Sequence, residues 1–128
     1  MPRDLPPLGS TVWVVGDGYI PPGGSGADPA LHSHESICML NAGDVDAVVE
    51  ISVYYTDQEP AGPYTLAIPA RRAHHQQINA LRDPEPIQPG RDYCLVIRSS
   101  SPIVVQHTRL DSRQSELALM STIAYPAA

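Results

Sequence analysis

Apolar and polar positions alternate most clearly between Val45 and Tyr55. Val45, Ala47, Val49, Ile51, Val53 and Tyr55 fall on one side, and Asp46, Glu50, Ser52 and Tyr54 on the other, with Val48 out of phase. A period of two over this length predicts a half-exposed β-strand, because successive side chains point to opposite faces. Shorter runs of the same kind predict strands at Thr11–Val15, Ser36–Leu40, Tyr64–Ile68, Ala73–Ile78, Tyr93–Arg98, Ile103–Leu110 and Met120–Tyr125. Between them lie turn-rich segments: Asn41–Asp44, Asp57–Pro63, and Leu81–Gly90 with its three prolines. Ser99–Pro102 is placed as the turn of a hairpin, and Ser112–Leu119 as a helical turn. The long stretch from Gly16 to Pro29, GDGYIPPGGSGADP, carries five glycines and three prolines and is expected to be a loop.

Seven or eight short strands with almost no helix predict an all-β fold, an antiparallel β-sandwich or a jelly-roll-like arrangement. The chain of 128 residues is long enough for one hydrophobic core. Residues 1–10 are expected to be a flexible N-terminal leader and residues 11–128 a single domain. Fourteen prolines and nine glycines, spread along the chain, argue against long helices. The prolines of MPRDLPPLGS stand where a secretory signal would be apolar, and no run approaches the length needed to cross a bilayer, so a soluble cytoplasmic protein is expected.

Charge narrows the function further. Lysine is absent, and a net charge of −6 with a pI near 5.1 disfavours nucleic-acid binding. Cys38 and Cys94 lie in separate apolar runs without CxxC spacing, which favours buried free thiols over a disulfide.

Three polar constellations are candidates for chemistry. The first is His32 and His34, an HxH pair which, with Gly26 upstream and Pro69, His74 or His75, and Asn79 downstream, echoes the metal-binding motifs of cupins. The carboxylate such a site needs is missing: Cys38 and Met39 stand near its place, and Glu35 would point to the opposite face of the strand from His34. A degenerate cupin, acting as a metal-dependent enzyme or sensor, is the alternative this set supports. The second is PARRAHHQQ, where Arg71, Arg72, His74 and His75 concentrate positive charge suited to an acidic ligand or partner, or to protecting a strand edge. A DNA-contacting regulator using Arg71 and Arg72 is a further alternative. The third is VVQHTRLDSRQ, Val104–Gln114. If its strand continues, His107, Arg109 and Asp111 share one face, fit to bond a sugar, an anion or a neighbouring subunit, with Asp111 able to pair with Arg109 or Arg113. No GxSxG elbow and no phosphate-binding glycine loop is present, so no catalytic residue and no cofactor are assigned.

GYIPP, LNAGD, EISVYYTDQEPAGPY, IPARR and PIVVQHTRLDSRQSELALMSTIAY together resemble the sensory rhodopsin transducer family over Trp13–Tyr125. The family takes its name from the small soluble partner of a cyanobacterial sensory rhodopsin. The resemblance implies a β-sandwich similar to carbohydrate-binding modules, a four-fold homotetramer, and signalling or ligand binding without catalysis. It implies as partners a membrane photoreceptor or another signalling protein, or a small sugar or anionic ligand. Carried over by position, the ligand- or partner-binding candidates are His34, Glu35, Arg71, Arg72, His75, Gln106, His107, Arg109, Asp111 and Arg113. No metal ligand is assigned among them.

Overall fold

The computed structural model describes residues 7–24, 31–114 and 116–128. Eight strands follow in chain order: β1 (Ser10–Tyr19), β2 (His34–Asn41), β3 (Ala47–Tyr55), β4 (Ala61–Ile68), β5 (Arg72–Gln77), β6 (Asp92–Asp111), β7 (Ala118–Ile123) and β8 (Tyr125–Pro126). A 3-10 turn, Ile78–Ala80, follows β5. Every pairing among the strands is antiparallel. One sheet runs β4-β3-β6-β1-β8; the other runs β5-β2-β6-β7. The sheets face each other as a sandwich joined by the long strand they share.

That strand corrects the expected hairpin. Ser99–Pro102 is no turn but the point where β6, 20 residues long, passes from one sheet to the other. Its first half pairs with β1 and β3, from Tyr93↔Tyr55 to Ser99↔Val49; its second half, Val104–Asp111, pairs with β2 and β7. The serines and proline serve the crossing: Ser100 Oγ accepts the Val48 amide at 2.8 Å, standing in for a ladder partner where the backbone changes neighbours. Trp13 braces the same place, its indole N–H shared between the carbonyls of Ser10 (3.0 Å) and Ile103 (2.8 Å).

Other boundaries shift for local reasons. β1 begins at Ser10 and continues to Tyr19, so the first four residues of the expected loop and the last residue of the expected leader are strand; residues 1–6 and 25–29 of those segments lie outside the described residues. Of the expected helical turn at Ser112–Leu119, residue 115 lies outside the described residues, and the described ones bend and lead into β7, which ends at Ile123; Ala124 carries the chain across to β8 in the other sheet. The strand expected over Val45–Tyr55 starts at Ala47, with Val45 exposed, and its alternation holds: Ala47, Val49, Ile51 and Val53 are fully buried and Val48 is exposed.

Those residues meet Ile37, Met39, Ile68, Leu95, Ile97, Ile103 and Val105 in one core between the sheets. Each fully buried aliphatic side chain contributes about 1.5–3 kcal/mol. Cys38 and Cys94 are free but only half-buried, on outward positions, rather than in the core.

Asn41 closes the end of β2. It is wholly buried, its amide donates to the carbonyls of Val45 (2.9 Å), Ile68 (3.0 Å) and Pro69 (3.3 Å), and its Oδ1 accepts the Gly43 amide at 3.0 Å. Asn41→Ala is expected to lower the unfolding free energy by about 2–3 kcal/mol, since buried carbonyls lose their donor. Urea denaturation measures this, and a loss under about 0.5 kcal/mol would contradict the clamp.

Candidate functional site: a buried carboxylate between the sheets

β2 sends alternate side chains inward, so Glu35 falls in phase with Ile37, Met39 and Asn41 and points into the sandwich. It is fully buried. A carboxylate there is tolerable only if its charge is matched and its lone pairs are filled. Both conditions are met. Oε1 accepts the backbone N–H of Tyr19 at 2.7 Å and the phenol of Tyr93; Oε2 accepts His107 Nε2 at 2.8 Å and Arg109 Nε at 2.9 Å. Four donors on two oxygens use the whole acceptor capacity of the group.

Register explains the convergence. Glu35 pairs with Arg109 and Ile37 with His107 across β2 and β6, so His107 and Arg109, two residues apart, share the inward face. Tyr93 arrives from the other half of β6, where it pairs with Gly18. A Cβ on Gly18 would lie 2.4 Å from the Tyr93 ring, so the glycine lets the ring lie flat against β1 and reach the carboxylate. Arg109 then continues outward: its Nη2 donates to the Asp17 carbonyl at 3.0 Å and lies 3.8 Å from the Asp17 carboxylate. Beneath Glu35, Asn79 accepts the Glu35 amide (3.2 Å) and donates to the Ser33 carbonyl (3.3 Å).

Burial alone would raise the Glu35 pKa, but hydrogen bonds from His107, Tyr93 and Arg109 and the charge of His107 outweigh it and hold the carboxyl below the usual range. Burial first, and then the adjacent carboxylate, push the Tyr93 phenol far upward, so it stays protonated as a donor. The cluster has one carboxylate fixed by four donors and no free lone pair to take a proton from a substrate. It is built as an anchor rather than as an acid or base.

Beside it lies a cleft of about 290 Å³, where β1 of one sheet and β7 of the other part. Val14, Val15, Met120, Ile123, Ala124 and Tyr125 make its apolar walls, and His107 lies within it.

The remaining candidates do not all join this site. His107, Arg109 and Glu35 converge; Asp111 continues the same face and holds Arg113 through two bonds, 3.0 and 2.8 Å. Both guanidiniums stand 5.9 Å from the Tyr19 ring. Gln106 faces outward and bonds Ser121 at 2.7 Å; by register it lines up with Cys38 and His75 across the sheet. Arg71 and Arg72 sit at the far end of β5 and do not form one positive surface. Arg71, in the left-handed region at φ 55°, is a turn residue whose side chain pairs with Asp44 at 3.0 Å, while Arg72 bonds the Arg71 carbonyl.

The histidines of the cupin alternative do not converge. His34 bonds the His32 carbonyl and pairs with Leu110, whereas His74 and His75 lie opposite Met39 and Cys38, about 13 Å further along β2. Among the described residues no three His, Cys, Asp or Glu side chains are grouped to hold a metal. Tyr93, Gly18 and the Tyr19 amide belong to this cluster but are not singled out by the sequence pattern, which places Asn79 only in the cupin echo. Readable signals come from Glu35, in phase with Ile37 and Met39, and from the shared face of His107, Arg109 and Asp111.

Comparison with known proteins agrees with this architecture. Residues 8–126 match the family described as Anabaena sensory rhodopsin transducer. A solved structure of an Anabaena sensory rhodopsin transducer is 56% identical, covering 86% of this chain and 96% of its own, with a TM-score of 0.75. The Thermotoga maritima protein 1070 is 33% identical over 93% of this chain and 96% of its own, with a TM-score of 0.80. No curated protein sequence matches significantly. A match over nearly the whole chain, with the same fold in two solved relatives, makes this chain a member of the Anabaena sensory rhodopsin transducer family.

Proposed function

We propose that this chain is a non-enzymatic, cytoplasmic signal transducer that works as a homotetramer and contacts a membrane photoreceptor or another signalling protein. The observation that carries this reading is the 56% identity to a sensory rhodopsin transducer over 86% of the chain. The closed hydrogen-bonding of Glu35 supports the absence of catalysis at the most elaborate polar cluster. A protein partner fits better than DNA or an anionic ligand, because Arg71 is paired with Asp44, Arg91 with Asp57 and Arg113 with Asp111 on a chain of net charge −6. The exposed apolar side chains of β7 and β8 supply a surface for assembly.

Titration calorimetry of the protein against a sensory rhodopsin in lipid nanodiscs tests the reading. Saturable heat with a Kd in the micromolar range, about 1–10 µM, is expected. No saturable binding at about 100 µM receptor would overturn it.

A further inference from the structure

We draw no further inference here: the strongest candidate, the groove of about 360 Å³ lined by Pro7, Leu8, Val45 and Pro102 at the end of the sandwich where β6 changes sheets, carries nothing because nothing in the structure shows what covers its apolar walls.

Discussion

Glu35→Ala should lower the unfolding free energy by about 3–5 kcal/mol, more than is expected of Asn41→Ala. The expected cost comes from what is left behind rather than from the carboxylate itself. Arg109 would lose its buried counter-ion and keep only the exposed Asp17 carboxylate at 3.8 Å, and Tyr93, His107 and the Tyr19 amide would each face a space with no acceptor. Glu35→Gln separates charge from shape: the amide nitrogen would be turned toward donors, so about half of the loss or more is expected to remain. The sign of the pH dependence follows from the depressed pKa of Glu35. A carboxyl held below its ordinary range contributes stability that is fully present above that range and is lost as pH falls through the folded-state value. Urea unfolding of the wild type and Glu35→Gln should therefore show a gap at neutral pH that narrows in acid. A gap constant from about pH 7 to about pH 3 would mean that Glu35 carries no charge in the fold.

Leu119→Lys combined with Ile123→Lys should convert the proposed tetramer to monomers without unfolding them. The physical reason is the contrast among the sheet edges. β4 is interrupted near its start by Gly62-Pro63, and β5 presents Arg72, His74 and Gln76, all devices that discourage strand addition. β7 has none: Leu119 is 70% exposed, Met120 and Ile123 are exposed, and Tyr125 of β8 is 68% exposed. Apolar anchors in the centre of an interface contribute about 2 kcal/mol or more each, so two buried lysines should raise the dissociation constant at least about a thousand-fold. Native mass spectrometry reads the subunit count directly. A wild type that is already monomeric removes the assembly from the proposal, and a double variant that remains tetrameric moves the interface away from β7.

What the sequence reveals here depends on how far its effects reach. The alternation of β3 is written in adjacent residues, and so is the inward direction of Glu35 once Ile37 and Met39 are placed in the core. The all-β class follows from such local periods. The hairpin expected at Ser99–Pro102 fails because three serines and a proline look the same whether the chain reverses or bends between two sheets; only the partners on either side decide. The extension of β1 through Gly16–Tyr19 was hidden because Gly18 serves the Tyr93 ring rather than a turn. The site was legible in one residue and one strand: the His107, Arg109, Asp111 face. Its closure on Glu35 spans 72 and 74 residues, and Tyr93 comes from 58 residues away, separations set by register that no local pattern contains.

The pairing of β1 also orders events in time. On one side β1 meets β6, with Ser10 against Ile103, and on the other β8, with Trp13 against Pro126. A ribosome makes β1 before the other strands and both of its partners among the last. Throughout synthesis, Trp13 and Val15 therefore wait for a strand still to be made. Closing so long a loop is a slow step for a β protein. The nascent chain can assemble β2 to β5 locally, but the sandwich, and the carboxylate at its centre, can form only when β6 has left the ribosome.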